Sequence, residues 1–597
     1  MTNGDSTTAG KPVVACDVLV IGSGAAGLST AITAAARGLE VVLAEKASVF
    51  GGTTAWSGGW LWIPGNPLAV RAGLDPDLAA ARDYLVAELG ERFDVARVDA
   101  YLAAGPRMVD FFERKTAVQI VAGLATPDFH SASPGAAVGR TICAAPFNGR
   151  ELGAMLSKLR PPLREITLGG MAIAAGADYA HFMQATRSLR SFMHASRRII
   201  GHWTDVARHG RGQHLVNGNA LAARLLKSAL DRGVKLWSSA PARELIVERG
   251  RVHGAIIERD GQQVRVEARR GVVLACGGFP HDVARRAQMF GYTPTGRDHW
   301  SAAPATNTGD GLALAESAGA HVDASLRQPA AWAPVSIVRH PDGSEGVFPH
   351  LVDRAKPGVI AVTADGRRFV NEADSYHDFM SALLARTPRG HEVVAYLLCD
   401  HRSLRRYGLG FAKPFPVPLR RSLRSGYLHS GETLDALAQV AGIDAAGLRM
   451  TIADYNRGAR EGRDDAFGRG STPFNRFGGD PRHLPNPCVA PVDRAPFYAL
   501  RLLPGSLGTF AGVRTDAQAR ALRASGGIVH GLHVVGNDAA SVMGGNYPSG
   551  GITLGPAMTF GYIVGTELAM LDRASASIHA GASALRERPG TLPQGAR

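Results

Sequence analysis

Ala15-Cys16-Asp17-Val18-Leu19-Val20-Ile21-Gly22-Ser23-Gly24-Ala25-Ala26-Gly27-Leu28 decides the fold, together with Glu40-Val41-Val42-Leu43-Ala44-Glu45-Lys46 downstream. A β-branched and aliphatic run leads straight into Gly-x-Gly-x-x-Gly. An Ala-rich helical pattern and a second apolar run follow, closing on an acid. This is a βαβ unit whose first turn can seat a dinucleotide. Gly22 permits the tight turn, Gly24 lets backbone N–H groups approach a pyrophosphate, and Gly27 allows close helix–strand packing. Ala25 and Ala26 add no bulk where the phosphates meet the positive end of the helix. Glu45 stands where a carboxylate accepts ribose hydroxyls, with Lys46 beside it.

The next loop carries Gly51-Gly52-Thr53-Thr54-Ala55-Trp56-Ser57-Gly58-Gly59. Gly52, Thr53, Thr54, Ser57, Gly58 and Gly59 give a backbone-rich segment able to wrap phosphates and a flat ring. Nicotinamide enzymes do not need such a loop so soon after the acid, whereas flavoproteins commonly have one. It holds no histidine, so a histidyl covalent flavin link is not expected. At least one of Trp56, Trp60 and Trp62 is expected in the core. Farther on, Gly271–Phe279 reads as a strand that rejoins the first sheet and brings Gly277 and Gly278 to the nucleotide. Asn307 and Asp310 open a capped, ligand-facing helix. Gly536-Asn537-Asp538 marks the return of the nucleotide domain, and Gly551, Thr553 and Leu554 precede a helix expected from Gly555 to Leu571. With no second Gly-x-Gly-x-x-Gly after a strand, one dinucleotide is expected, and these loops together make it FAD, bound non-covalently.

The chain has 597 residues, too many for one ordinary core. The expected class is α/β: a Rossmann-like FAD-binding domain (15–322 and 499–573) with an inserted α+β catalytic domain (323–498) that caps the substrate. Residues 1–14 and 574–597 read as disordered tails, the first without the basic and apolar regions of a signal peptide. No apolar run approaches the roughly 20 residues of a bilayer span. The five cysteines are far apart and odd in number, forming no disulfide framework and no metal-spaced pair; no metal is expected and a cytoplasmic setting is. The net charge of +14 comes mostly from dispersed arginines without an aromatic-interleaved motif, which argues against nucleic acid. Residues 158–211 mix Met, Phe and Arg near helical spacing. They read as an ordinary helix with a solvated Arg face, or as a basic surface for peripheral membrane contact.

Two constellations carry chemistry. Gly550-Gly551 before a helix offers free N–H groups suited to a carbonyl oxygen that gains negative charge, and Tyr547 could donate a second hydrogen bond to it. Arg368, Asn371 and Glu372, ahead of Tyr376, read as an ion-pair and capping cluster tying the two domains.

From about Cys16 to Leu571 the chain resembles the fumarate reductase/succinate dehydrogenase flavoproteins, and within them the 3-ketosteroid dehydrogenases, above all the Δ1 enzymes. Gly52–Gly59, Arg368-Phe369-Val370-Asn371-Glu372 with Tyr376, and Ser541-Val542-Met543-Gly544 through Tyr547-Pro548 to Tyr562 carry the resemblance. It implies a small apolar ketone substrate, held at its oxygen by the Tyr547 hydroxyl and the Gly551 N–H. It further implies Tyr376 as general base, hydride transfer to flavin N5, and an external electron acceptor such as a quinone. An unperturbed tyrosine, with a pKa of about 10, is a poor base at neutral pH. The family's assisting second tyrosine is expected near Asp128-Phe129-His130, where a phenylalanine stands; Tyr179 and His377 are the alternative helpers. The Δ1 enzymes usually carry Gly or Ala at the place of Ser549, and the Δ4-(5α) dehydrogenases resemble a Tyr-x-Ser pattern there, so regiochemistry stays open. The competing readings are a fumarate-type alkene reductase and a non-catalytic flavin-binding or membrane-surface protein.

Overall fold

The computed structural model describes residues 12–586, with side chains to residue 570. Its first sheet grows from the βαβ unit read in the sequence. Strands Val13–Ile21 and Val41–Ala44 lie parallel, and Gln262–Leu274 pairs parallel to the other edge of Val13–Ile21. Lys235–Trp237 extends the sheet beyond Val41–Ala44, and Ile528–Val534 extends it beyond Gln262–Leu274. A hairpin of Ala242–Glu248 and Arg251–Arg259 leaves the sheet antiparallel. The parallel strands read as near-continuous apolar runs because both faces are covered. Helix Ala25–Ala35 is buried along almost its whole length, between the sheet and helices Asn217–Asp231 and Leu554–Arg586. Gly561 and Gly565 make that second crossing close: a Cβ on either would meet the backbone of the first helix at 2.7–2.8 Å.

The second sheet is antiparallel apart from one short parallel pairing, of Trp300–Ser301, and mixed in length. Its order runs Glu345–Pro349, Ala330–Arg339, Phe497–Thr509, Ala395–Asp400, Val359–Val362, with Trp300–Ser301 and His429–Gly431 also on the long central strand. This corrects the expected boundaries. The cut at 498/499 falls inside Phe497–Thr509, whose residues pair with Ala330–Arg339 and Ala395–Asp400. Its apolar run resembles a nucleotide-domain strand in composition alone; pairing assigns it to the inserted sheet.

The ends also differ from expectation. Val13 and Val14 belong to the first strand, and the last helix runs from Leu554 through Arg586, past the expected stop at Leu571. The rest of the expected tails, 1–11 and 587–597, lies outside the described residues. Of the three tryptophans, Trp62 is core, donating from Nε1 to Asp128 Oδ1 at 2.7 Å. Among the described residues no helix is long and apolar enough to cross a membrane, and no group of three His, Cys, Asp or Glu is placed to hold a metal.

Candidate active site

The first βα turn is built as the glycines require. Gly22 has φ +108°, and a Cβ there would stand 2.1 Å from the Ala275 carbonyl oxygen. Gly27 lies against the turn itself, where a Cβ would meet the Gly22 oxygen at 2.0 Å. Gly24 caps helix Ala25–Ala35 in an extended conformation, with no side-chain cap and no acid in the first turn. The positive helix end therefore opens onto the neighbouring cavity with no acid in its own first turn, which fits a pyrophosphate. Ala25 N–H donates to Thr54 Oγ1 at 2.9 Å, tying the 3-10 turn Gly52–Trp56 to the helix.

Glu45 is buried and braced. Its Oε2 accepts from Ser23 N–H at 3.0 Å and from Ser23 Oγ at 2.6 Å, and its Oε1 from Ala47 N–H at 2.8 Å. Lys46 Nζ donates to Thr308 Oγ1 at 2.6 Å and pairs with Asp310 at 2.7 Å, so two residues expected to face the nucleotide clasp each other at the cavity edge. Asn307 Nδ2 reaches Thr53 Oγ1 at 3.1 Å, joining the second Gly-rich loop to the returning segment.

One continuous cavity of about 1670 Å³ is lined by this cradle and by the inserted domain. It exceeds the roughly 300–1,000 Å³ of an ordinary small-molecule site, leaving room for a dinucleotide and a second molecule. Gly22, Gly24, Ala25, Ala26, Glu45, Lys46, Gly52, Thr53, Thr54, Ser57, Gly58, Gly59, Gly277, Asn307, Asp310, Gly536, Asn537, Gly551, Thr553 and Leu554 all line it. Gly27, Gly278 and Asp538 do not. Asp538, fully buried, accepts from the Cys276 and Gly278 N–H groups and fastens the last strand to the returning loop. Burial pushes its carboxyl up to about 6, and the two N–H groups it accepts from make it an internal staple.

At the other wall Tyr376 opens helix Tyr376–Arg386, whose cap is Ser375 Oγ accepting from Asp378 N–H at 3.1 Å. Its ring meets Tyr547 edge-on, centroids 5.0 Å apart. Phe129 stacks on Tyr547 at 5.7 Å, contacts Tyr376 edge-on at 5.7 Å, and packs on Phe474 at 4.5 Å. An aromatic cluster thus assembles from four segments of the chain. Gly551, with φ +102°, lies against the strand Trp60–Trp62, where a Cβ would meet Trp62 N at 2.6 Å. Its carbonyl accepts from Trp62 and Gly555 N–H, while its own N–H has no acceptor among the described residues and borders the cavity.

Burial raises Tyr376 well above the usual tyrosine range, its hydroxyl interaction with Tyr547 raises it further, and Arg354 pulls it down. Tyr547 is pushed up to about 12 by burial, against hydrogen bonds from Tyr376 and Thr553 that lower it. Arg354 is a fully buried cation without a carboxylate partner among the described residues. It donates to the carbonyls of His350 at 3.0 Å, Glu372 at 2.8 Å and Asp374 at 3.1 Å. A desolvated guanidinium satisfied only by neutral dipoles keeps its field for nearby groups.

Phe129 stands against Tyr376 and Tyr547, where the family resemblance implies a tyrosine, so no hydroxyl comes from there. His377 accepts from Trp332 N–H at 3.2 Å, and Tyr179 lines the cavity with no ring contact to Tyr376 among the described residues. His130 is bonded to Glu88 and, at 2.8 Å, to Asp378. Burial lowers its pKa, but the two acids win and lift it to about 10. Ser549 is fully buried beside Asp128 and does not line the cavity. The Arg368–Glu372 cluster, expected to tie two domains, stays inside the inserted one: Arg368 pairs with Glu372 and Asp464 at 2.8 Å, and Arg469 with Glu372 at 3.0 Å. The sequence offered no signal for Arg354, which makes no motif with Tyr376 and meets it only in space.

Residues 17–554 match the FAD binding domain family. The 4-oxocyclohex-2-ene-1-carboxylate 5-dehydrogenase of Sinomonas cyclohexanicum is 40% identical over 96% of each chain. The 3-oxosteroid 1-dehydrogenase of Mycobacterium tuberculosis is 37% identical over 93% of this chain and 98% of the relative. Among solved structures, the 3-ketosteroid Δ1-dehydrogenase of Sterolibacterium denitrificans in complex with 1,4-androstadiene-3,17-dione superposes with a TM-score of 0.85, at 35% identity, over 93% of this chain and 99% of that one.

Proposed function

The chain belongs to the FAD-binding-domain flavoproteins, in the branch that includes the 3-oxosteroid 1-dehydrogenases, and we propose that it forms a C=C bond next to a ring ketone, at the Δ1 position of a 3-ketosteroid. One observation carries this reading: Tyr376, Tyr547 and the free Gly551 N–H border the same cavity as the nucleotide cradle. The Tyr547 hydroxyl and Gly551 N–H hold the ketone oxygen and stabilise its developing charge; in a dry site such a donor contributes about 3–4 kcal/mol. Polarisation acidifies the neighbouring C–H, and Tyr376 accepts that proton. Arg354 assists by favouring the tyrosinate. FAD, when bound in the cradle, supplies the oxidant that takes the hydride.

A smaller cyclic ketone is the second reading, supported by the 40% identity to a dehydrogenase named for a cyclohexenone acid. Ser549, which suggested the Δ4-(5α) position, carries less weight because its side chain lies outside the cavity lining. Anaerobic addition of androst-4-ene-3,17-dione, 5α-androstane-3,17-dione or 4-oxocyclohexanecarboxylate to the yellow holoenzyme, with product analysis, tests these choices. Bleaching by a ring ketone, yielding the dehydrogenated ring, is the expected result. No bleaching by any of them, with fumarate reoxidising the reduced enzyme, would sink the proposal.

The electron acceptor we propose is a quinone, and helix Leu189–His209 supports contact with an anionic lipid surface. Leu189, Phe192, Ile200 and Trp203 are 74%, 57%, 66% and 55% exposed, interleaved with arginines, and Phe192 and Ile199 also line the cavity. Sedimentation with phosphatidylglycerol vesicles but not phosphatidylcholine vesicles, lost in Trp203→Glu, is expected; no sedimentation with either would remove the lipid contact.

A further inference from the structure

The segment Gly410-Phe411-Ala412-Lys413-Pro414-Phe415-Pro416 follows helix His401–Tyr407 and forms part of the cavity wall in the inserted domain. Lys413 lines the same cavity as Tyr376 and Tyr547. Its ammonium lies 5.5 Å from the centroid of Phe348 and 5.6 Å from that of Phe411. Among the described residues it has no hydrogen-bond acceptor and no carboxylate within ion-pair distance. The acid that acts on it, Asp353, is committed elsewhere: one oxygen accepts from Gly410 N–H at 3.0 Å and bonds His350 Nδ1 at 2.6 Å. The other Asp353 oxygen is buried without a partner and stays out of ion-pair reach of Lys413.

Of the other cations on this wall, Arg406 pairs with Asp480, and Lys356 and Arg354 are spent on carbonyls. Lys356 donates to Gly478 and Gly479 at 2.8 Å each, and Arg354 to the three carbonyls named above. Asp374 and Asp480 also line the cavity, but Asp374 accepts from Asn475 Nδ2 at 2.9 Å and Asp480 pairs with Arg406, so neither serves Lys413. Two ring faces are weaker partners for an ammonium than a carboxylate is. None of Phe348, Phe411, Asp353 and Lys356 belongs to the nucleotide cradle, so the unpaired ammonium of Lys413 is available to the second occupant of the cavity.

We propose that the ring ketone carries a carboxylate remote from its ketone and that Lys413 is the cation that binds it. The proposal rests on the ring-ketone reading above for the other end of the same ligand. A carboxylate forms the charge-assisted hydrogen bond that the protein does not provide to this ammonium. Burial pushes Lys413 down to about 8, as an unpaired cation in such a wall requires. A monocyclic acid and a polycyclic acid share this chemistry, and the size of the cavity admits either.

The experiment titrates the oxidised holoenzyme and follows the flavin absorbance, so that binding is read apart from turnover. Two pairs of probes are used: 3-oxoandrost-4-ene-17β-carboxylate with its methyl ester, and 4-oxocyclohexanecarboxylate with its ethyl ester. In the unaltered enzyme one acid is expected to bind about tenfold or more tighter than its ester, and the pair that shows this identifies the ring system. The acid-over-ester ratio should collapse toward one in Lys413→Met and persist in Lys413→Arg, with bound FAD measured in each variant to verify folding. Equal affinities for acid and ester in both pairs, or a ratio untouched in Lys413→Met, would overturn the proposal. Esters that bleach the flavin without any acid preference remove the Lys413 site and leave the ring-ketone reading standing. Acids bound through Lys413 that never reduce the flavin do the reverse, and an enzyme that binds none of the four probes refutes both.

Discussion

The two walls of the cavity are built from different materials. The nucleotide wall is backbone: Gly22, Gly24, Gly52 and Gly59 place N–H groups and leave space, and the first βα turn holds most of its geometry within 24 consecutive positions of Gly22 to Glu45. The ketone wall is side chain: Phe129, Tyr376, Phe474 and Tyr547 come from loops and helix ends separated by tens to hundreds of residues. A backbone site fails through steric intrusion, all at once, whereas a side-chain site loses one contribution per substitution. The two walls should therefore break in different ways.

The largest effect is expected at Gly22. A valine there puts its Cβ into the Ala275 carbonyl in a backbone region that β-branched residues avoid. We expect Gly22→Val to cost more than about 3 kcal/mol, seen as loss of FAD and of the thermal transition. A yellow, stably folded Gly22→Val protein would erase the distinction between the walls.

Removing hydroxyls from the other wall should leave FAD in place. Tyr376→Phe takes away the group proposed to accept the proton, and kcat is expected to fall by about 10²–10⁴. Tyr547→Phe keeps the Gly551 N–H and should cost about 10²–10³. Flavin content and melting temperature report the fold, while single-turnover bleaching reports the chemistry. A Tyr376→Phe enzyme with normal bleaching would dismiss that residue as the base.

The same contrast explains what the sequence could disclose. Glycine spacing, a preceding apolar run and an acid at the strand end are local signals of the cradle, and the parallel sheet follows from them. Strand Phe497–Thr509 was misassigned because an apolar run does not say which sheet it joins; only its pairing with Ala330–Arg339 and Ala395–Asp400 does. The donor role of Tyr547 is legible in its own Gly-rich loop, whereas the role of Tyr376 as base comes only with the family resemblance; neither follows from a periodicity. Arg354 and Lys413 escaped notice because a cation is significant there for what does not surround it, and the absence of a counter-charge has no spacing to read. Asp538 is a related case: beside a Gly-rich turn an acid reads as ligand-facing, and in the fold it accepts from the Cys276 and Gly278 N–H groups.

A subtler change tests the field acting on the ketone wall. If turnover needs Tyr376 deprotonated, the rate rises with pH as that proton leaves. Arg354 lowers the Tyr376 pKa against burial and Tyr547, both of which raise it. Deleting the cation should therefore move the ascending limb of kcat/KM to higher pH, by about one unit in Arg354→Met. Arg354→Lys, which keeps the charge, should restore most of the shift even though the fork to His350, Glu372 and Asp374 is lost. Leaving those carbonyls unpaired also costs stability, on the order of 1–3 kcal/mol. The pH profile separates the roles: a structural arginine would lower the melting temperature and leave the limb where it was.

The smallest effect is expected at Ser549, where sequence and structure point in different directions. Its place in Tyr547-Pro548-Ser549-Gly550-Gly551 suggested control of the double-bond position. In the fold its side chain is fully buried against Asp128 and does not line the cavity that Tyr547 and Gly551 border. Asp128 is already held by Arg140 at 2.7 Å, Trp62 Nε1 at 2.7 Å and Ala137 N–H at 3.1 Å, so one lost hydroxyl leaves it well satisfied. Ser549→Ala should accordingly change stability by less than about 1 kcal/mol and leave the product's double bond at the same carbon pair. A switch of regiochemistry in Ser549→Ala would mean that the loop backbone, through Pro548 and Gly550, transmits the change to the ketone donors. The ketone wall would then share the all-or-none character of the cradle, and the division between a backbone site and a side-chain site would have to be redrawn at Tyr547.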